Sequence, residues 1–342
     1  MSDSANQQKH MRRIGRFSTP TVAFGCMNVS HAYGNPPSEK QAIELLNQAL
    51  DQGYSMLDSA ALYGFGANES LLAKAVGHRR DEYLLASKCG MFKGPDGKKA
   101  IDGRPETIRK TCEDSLRRLD TEVVDLYYLH RWDKSVPIEE SIGELSRLVE
   151  EGKILEVGLS EVSATTLEKA HRIHPIAAVQ SEYSLWTRNP EIALLDKCEE
   201  VGATMVAFSP LGRGILTGKL REVDNFAAND IRRAMPRFNQ ENFAQNLALI
   251  DQLFDVAKSA STTGEPLSLA QMTMAWAIAQ RDNIIALPGT TSYEHMVENF
   301  SAREIQLSNT ALDALDRIIN QHTVIGPRYN ATTQQEIDTE EF

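Results

Sequence analysis

The chain of 342 residues has few cysteines, and their spacing indicates no structural role. The four thiols, Cys26, Cys89, Cys112 and Cys198, lie far apart and form no C-x-x-C pair. The sequence therefore indicates neither a disulfide framework nor a zinc ribbon, and reduced thiols in the cytoplasm are the simplest interpretation. An excess of basic residues is also missing. The formal net charge of −11 argues against binding nucleic acid or an anionic membrane through the overall field.

Long hydrophobic runs are absent as well. The segment MSDSANQQKHMRR has no apolar core, so we expect no signal peptide, and no run approaches the roughly 18 apolar residues of a membrane span. These absences predict a cytoplasmic protein. No pair of histidines has ligand spacing on a helix, and no G-x-S-x-G or Cys/His signature is present. We therefore predict neither a metal site nor acyl-transfer chemistry.

Short strand-like runs alternate with amphipathic helical segments along most of the chain. The eight candidate strands cover residues 21–26, 54–60, 83–88, 123–130, 155–160, 176–183, 204–210 and 283–289. Apolar residues at a 3.6-residue period predict helices between them, among others over 38–53, 104–120, 137–152 and 190–202. Several of these segments begin near a proline and end at a glycine, as helices often do.

Eight strand–helix units predict an α/β fold, the (β/α)₈ TIM barrel, because apolar parallel strands need helices over them and eight such units close naturally. A doubly wound open sheet is the alternative, but no G-x-G-x-x-G follows the first strand. Residues 211–262 form a long loop after the seventh strand, with a helix near 243–261. Residues 306–342 add a helix over 308–321 and a polar tail. No linker divides residues 1–342, so we expect a single domain.

Polar side chains stand where three successive strands end. These are Asp58, Lys88 and His130, and Tyr63 follows in the loop after Asp58. Each alone has an ordinary explanation, such as a helix cap, a solvated lysine or a packing residue. Since chemistry in such barrels lies at the carboxyl ends of the strands, the combination predicts an active site.

These side-chain types predict acid–base chemistry. A phenol with a pKa of about 10 is a weak acid at neutral pH, and a neighbouring ammonium lowers that pKa. Asp58 would hold Lys88 in place and charged, and Lys88 would tune Tyr63. Tyr63 would then donate a proton to a substrate oxygen or accept one from it, while His130 orients the carbonyl.

These residues lie in segments that resemble the aldo-keto reductase superfamily from about residue 12 to about residue 329. The catalytic segments are LDSAALYGFGANE (57–69), LLASKCG (84–90) and DLYYLHRWD (125–133). The motifs LHRWD, SPLGRG and GPRY are more similar to the bacterial branch sometimes numbered thirteen than to the aldose reductases. The resemblance implies a (β/α)₈ barrel, NADPH-linked reduction of a carbonyl, and a tetrad of Asp58, Tyr63, Lys88 and His130.

The resemblance also implies the coenzyme-binding residues. The segments VGLSEVS (157–163), VQSEYSLW (179–186), AFSPLGRGILTGK (207–219) and LPGTTSYEHMVEN (287–299) are similar to the family's cofactor segments. They would hold, in turn, the nicotinamide carboxamide, its ring with Phe208 stacked on it, the pyrophosphate and the adenosine. The full set of candidates is Cys26, Met27, Asp58, Ser160, Glu161, Gln180, Phe208, Ser209, Pro210, Leu211, Gly212, Arg213, Gly214, Lys219, Gly289, Thr290, Thr291, Ser292, His295, Glu298 and Asn299.

Two positions depart from the family pattern. Many relatives have asparagine after the serine, where this chain has Glu161, and a carboxylate cannot donate to the carboxamide oxygen. The adenosine segment of relatives often carries lysine and arginine for the 2′-phosphate of NADP, where this chain has Ser292 and His295. NADPH remains the expected coenzyme, and NADH stays possible.

Two other classes stay open. The same fold serves as a non-catalytic NAD(P)-sensing subunit, and a barrel lyase would use Lys88 as a Schiff base. The expected partner is a small carbonyl or alcohol, with no nucleic acid and no membrane. The sequence indicates neither a particular substrate nor an oligomeric state. Residues expected to shape the substrate site are Tyr33, Met91, Phe92, Trp132 and Trp186.

Overall fold

The computed structural model describes residues 10–94 and 97–342. Its strands are β1 Met11–Ile14, β2 Phe17–Pro20, β3 Phe24–Gly25, β4 Met56–Asp58, β5 Leu84–Cys89, β6 Met91–Lys93, β7 Lys99–Ile101, β8 Val124–Leu129, β9 Ile154–Ser160, β10 Ile176–Glu182, β11 Thr204–Phe208 and β12 Ile284–Leu287. Its α-helices are α1 Glu39–Gln52, α2 Ala67–Val76, α3 Pro105–Leu119, α4 Ile138–Glu150, α5 Ala164–Ile173, α6 Leu194–Val201, α7 Gln240–Ala257, α8 Leu269–Ala279, α9 Tyr293–Ser301, α10 Asn309–Ile318 and α11 Ala331–Gln335.

Eight of the strands form one parallel sheet in the order β12-β11-β10-β9-β8-β5-β4-β3. The two ends of this sheet meet, since Val22 forms a parallel bridge with Ala286 and the Ala23 N–H donates to the Ala286 carbonyl at 2.9 Å. Each strand overlaps a sequence-predicted segment. The predicted (β/α)₈ barrel is confirmed, and the sequential strand order rules out the doubly wound alternative.

The barrel interior is a packed core of small and large side chains, including Met56, Ala86, Tyr128, Val206 and Ile285. A second apolar layer lies between the strands and the surrounding helices. The β1–β2 hairpin contributes Ile14 and Phe17 to the interior core at its amino-terminal end. This hairpin was not predicted, because its short strands follow a polar segment and carry no apolar alternation.

Local sequence signals explain where the helices begin and end. Ser38 and Gln41 form a capping box at the start of α1, and Gly53 ends it with a φ of 103°. Pro105 is the first residue of α3, where its missing N–H has no consequence. Helix α7 begins three residues before the predicted position, because the Asn239 side chain accepts from the Asn242 N–H at 2.8 Å. Among the described residues, no helix has both the length and the apolar composition needed to cross a bilayer.

The carboxyl-terminal segment differs from the expected polar tail. Arg328 and Tyr329 are buried, and Arg328 forms an ion pair with Glu161 just beyond β9. Further along, Asp338 accepts from the hydroxyls of Ser163 at 2.9 Å and Thr166 at 2.6 Å, at the start of α5. The segment is therefore attached to the same end of the barrel as the carboxyl ends of the strands.

We expect Arg328→Met to destabilise the fold by about 3–5 kcal/mol, because it leaves the buried Glu161 carboxylate without its cation. The exposed Arg317, in the preceding helix α10, provides a matched control as Arg317→Met. Urea unfolding curves of the two variants measure the difference. Equal midpoints would show that the pair contributes nothing to stability.

Candidate active site

Four sequence-predicted side chains meet at the carboxyl end of the barrel. Asp58 is the last residue of β4, Lys88 lies next to the end of β5, and His130 directly follows β8. Tyr63 reaches the same place from the loop after β4, where it begins a short 3₁₀ segment. All four are buried, and Lys88 has no solvent exposure.

Lys88 is the centre of this cluster. Its ammonium forms an ion pair with Asp58, donates to the Ser59 carbonyl at 2.7 Å, and lies 3.4 Å from the Tyr63 hydroxyl oxygen. The Gln180 amide donates to the second Asp58 oxygen at 2.8 Å. Both carboxylate oxygens therefore have donors, which compensates the burial of the two charges.

The two acid–base groups respond differently to burial. Burial lowers the pKa of Lys88, but the electrostatic attraction of Asp58 and Tyr63 and the hydrogen bonds to them together outweigh it, and the pKa lies above its ordinary value. Burial raises the pKa of Tyr63, and Lys88 opposes this without cancelling it. The expectation of a lowered Tyr63 pKa is wrong, because excluding the phenolate from water outweighs its attraction to the Lys88 ammonium. Lys88 is an ammonium and Tyr63 a neutral phenol at neutral pH.

His130 completes the cluster as a neutral imidazole. Its ring meets the Tyr63 ring edge-on, with centroids 5.8 Å apart. Burial, followed by the charges of Lys88 and Arg131, lowers the pKa of His130 well below its ordinary value. Its Nδ1 is buried and has no hydrogen-bond partner among the described residues. A neutral imidazole can donate through one nitrogen and accept through the other.

A cavity of about 880 Å³ adjoins this cluster and extends between the loops after β11 and β12. Arg213, on the first of these loops, places its guanidinium 5.7 Å from the centre of the half-buried Phe208 ring. The sequence-predicted coenzyme residues on the cavity wall are Met27, Asp58, Ser160, Gln180, Phe208, Ser209, Pro210, Leu211, Arg213, Gly214, Lys219, Gly289, Thr290, Thr291, His295, Glu298 and Asn299.

The backbone at Gly289 packs so closely against its neighbours that a side chain would clash there. A Cβ atom there would lie 2.8 Å from the Asn28 side-chain oxygen and 3.1 Å from the Gly25 carbonyl oxygen. All three residues line the cavity. The aromatic face of Phe208 and the cation of Arg213 on the same wall fit a flat, anionic dinucleotide.

Five predicted site residues are not on the cavity wall, namely Cys26, Lys88, Glu161, Gly212 and Ser292. Lys88 lies behind Asp58 and Tyr63 and contacts both of them. The Glu161 carboxylate instead accepts from the Ser181 hydroxyl at 2.8 Å and pairs with Arg328. Ser160 and Gln180 remain on the wall for the predicted carboxamide contact.

The far end of the cavity contains a cation outside the segment that sequence reasoning considered for the 2′-phosphate. Lys219 Nζ lies 3.1 Å from His295 Nε2, although 76 residues separate the two in the chain. Ser292 caps α9, accepting from the His295 N–H at 3.3 Å and donating to Glu294 at 2.7 Å. A lysine from the loop after β11 therefore lies beside His295, although the adenosine segment itself has no lysine.

The other end of the cavity, next to Tyr63 and His130, includes residues that sequence reasoning missed. Of the five expected substrate residues, Tyr33 and Met91 line the cavity, and Phe92, Trp132 and Trp186 do not. Unpredicted wall residues include His31, Lys99, Arg131, Arg232, Tyr329 and Glu336. Arg131 was recognisable in principle, because it directly follows His130 at a strand end. Tyr329 and Glu336 were not, because nothing local shows that the tail folds back.

Comparison with known proteins agrees with this geometry. The sequence model of the aldo/keto reductase family matches residues 21–320. The chain is 39% identical over 325 residues to the aldo-keto reductase yakc [NADP(+)] of Schizosaccharomyces pombe, covering 93% of this chain and 94% of that protein. It is 40% identical to a probable aldo-keto reductase of Glycine max, covering 92% and 89% of the two chains. A glycerol dehydrogenase from Gluconobacter oxydans superposes with a TM-score of 0.83 at 29% identity, covering 94% and 99%. The chain belongs to the aldo/keto reductase family.

Proposed function

We propose that this protein is an NADPH-dependent reductase of aldehydes or ketones, able to run in reverse on alcohols, with Tyr63 as the proton donor. The observation that carries the proposal is the buried Lys88, which contacts Asp58 and Tyr63 on the wall of a dinucleotide-sized cavity. The name of the Schizosaccharomyces pombe relative, which includes NADP(+), supports the coenzyme.

The residues present fit that coenzyme. Ser160 and Gln180 would contact the carboxamide, Phe208 would face the nicotinamide ring, and Arg213 would face the pyrophosphate. Asn299 and Lys219 would lie at the adenosine end. When bound, NADPH supplies a hydride to the carbonyl carbon.

Tyr63 supplies the proton. As the substrate oxygen gains negative charge, the proton moves from the Tyr63 hydroxyl to that oxygen. The phenolate left behind is stabilised by the Lys88 ammonium 3.4 Å away, and Asp58 keeps this ammonium in place. The neutral His130 on the same wall provides a second group to orient the oxygen. In the reverse direction the phenolate accepts the proton of an alcohol.

A panel of carbonyls and alcohols against NADPH, NADH, NADP⁺ and NAD⁺, followed at the nicotinamide absorbance, tests the proposal. We expect NADPH oxidation with at least one aldehyde or ketone. Coenzyme binding without turnover of any compound would favour a sensing subunit. Borohydride trapping of a carbonyl on Lys88, with no use of a nicotinamide, would favour the lyase.

We expect Lys219→Met to weaken NADPH binding by about tenfold at low ionic strength, with little change for NADH. Lys219 is exposed beside His295, and a 2′-phosphate there would lose a charge-assisted contact that salt also screens. Fluorescence titrations of both coenzymes at two ionic strengths measure this, with the distant exposed Lys258→Met as the control. An unchanged ratio of the two dissociation constants would place the phosphate elsewhere.

A further inference from the structure

Arg131 is a buried cation on the cavity wall, and no carboxylate among the described residues forms an ion pair with it. Only 9% of its surface is exposed. Its Nη1 donates to the His130 carbonyl at 2.9 Å and reaches the Ser160 hydroxyl at 3.3 Å, while its buried Nε has no hydrogen-bond partner among the described residues. The other two arginines on the described wall differ, since Arg213 pairs with Glu182 and Arg232 pairs with Asp230.

No acidic residue on the described part of the cavity wall neutralises the charge of Arg131. Asp58 is bound by Lys88 and Gln180, and Glu336 pairs with Lys99 through both oxygens, at 2.6 and 2.5 Å. Glu298 belongs to α9 at the adenosine end and lies beyond ion-pair distance of Arg131. A buried charge is costly unless an opposite charge or several hydrogen bonds meet it. Among the described residues no carboxylate neutralises Arg131, and its guanidinium lies on the wall of the cavity, which an anion can enter.

We infer that Arg131 binds an anionic group of the substrate, so that the preferred substrates are carbonyl compounds that also carry a carboxylate. The inference rests on the proposed reductase function and narrows its substrate class. A guanidinium suits this role because its planar fork matches both oxygens of a carboxylate. Its position next to His130 places the bound anion near the reacting carbonyl.

The electrostatic surroundings favour the same class. Burial is the main cause of the lowered pKa of His130, and the charges of Lys88, Arg131 and Lys99 lower it further, so three cations lie near the imidazole. A positive potential in a cavity attracts an anionic substrate and disfavours a cationic one.

The test compares 4-formylbenzoate with its methyl ester, which has the same aldehyde and no charge, and succinic semialdehyde with its methyl ester. In the parent enzyme we expect kcat/KM to be about tenfold to a hundredfold higher for the acids. Arg131→Met should remove this advantage, mainly through KM, and leave the esters nearly unchanged. Arg131→Lys should recover part of it. The distant exposed Arg172→Met is the control and should keep the parent's ratio.

Terephthalate, which cannot be reduced, gives a readout independent of turnover. We expect the NADP⁺-loaded protein to bind it by calorimetry, and Arg131→Met to abolish that binding. The inference fails if the esters are reduced as efficiently as the acids, or if Arg131→Met affects both alike. Arg131 would then contact the nicotinamide carboxamide or stabilise the fold. If no carbonyl is reduced while terephthalate binding still depends on Arg131, the anion site stands and the proposed function fails.

Discussion

Tyr63→Phe should lower kcat for carbonyl reduction by about 10²–10⁴-fold and leave the dissociation constant of NADPH nearly unchanged. The substitution removes the one hydroxyl that lies 3.4 Å from Lys88 Nζ, and general acid catalysis is typically worth that factor. The ring, which packs edge-on to His130, is kept. Single-turnover rates with excess enzyme, together with fluorescence titration of NADPH, separate the chemical step from binding.

The pH dependence of the reduction rate provides a second test of Tyr63. The pKa of Tyr63 lies above its ordinary value, so the phenol keeps its proton through neutral pH, and reduction should slow only in alkaline solution. Tyr83→Phe is a suitable control, because Tyr83 is a buried tyrosine outside the cavity wall. A Tyr63→Phe enzyme within about threefold of the parent would remove Tyr63 from the mechanism.

Lys88→Met should have the largest combined effect on activity and stability. It leaves Asp58 buried without its ammonium, which is expected to cost about 3–5 kcal/mol of unfolding free energy. It also removes the charge that stabilises the Tyr63 phenolate, so turnover should fall by about 10²-fold or more. Because the folded-state pKa of Lys88 is raised, its stabilising contribution is present at neutral pH and is lost only as the pH rises through that value.

Asp58→Asn tests whether Asp58 and Lys88 act as a coupled pair or as two independent groups. Asp58→Asn added to Lys88→Met removes the uncompensated charge, so the double variant should be more stable than Lys88→Met alone. Its loss of activity should be much smaller than the product of the two single losses. The exposed pair of Lys74 and Glu39, changed to Met and Gln, is the matched control and should alter stability by less than about 1 kcal/mol. Simple multiplication of the two activity losses would show that Asp58 and Lys88 act separately.

The fold was predictable because the sequence signals that specify it are local and recur in each strand–helix unit. Eight strand–helix units identify the barrel even when single boundaries are misplaced by a few residues, and caps such as Ser38 and Gly53 are visible in the sequence. The tetrad was predictable for a related reason. The barrel places the carboxyl ends of its strands on one rim, so residues at or next to the ends of β4, β5 and β8 lie on that rim.

Other features depend on contacts between distant segments and carry no local signal. Nothing near Glu161 shows that Arg328 pairs with it, so the sequence placed this carboxylate against the coenzyme. The contact between Lys219 and His295 is equally long-range. The direction of the Tyr63 pKa shift depended on the degree of burial, which the sequence does not specify.

The most direct test of the central claim is a single turnover with NADPH deuterated at both C4 positions of the nicotinamide. Each alcohol molecule should gain one deuterium at the carbinol carbon, matched one to one by loss of nicotinamide absorbance. Its hydroxyl proton comes from Tyr63 and exchanges with water, so no label should appear there. An alcohol without deuterium at that carbon, or unchanged nicotinamide absorbance across all carbonyls tested, would contradict it.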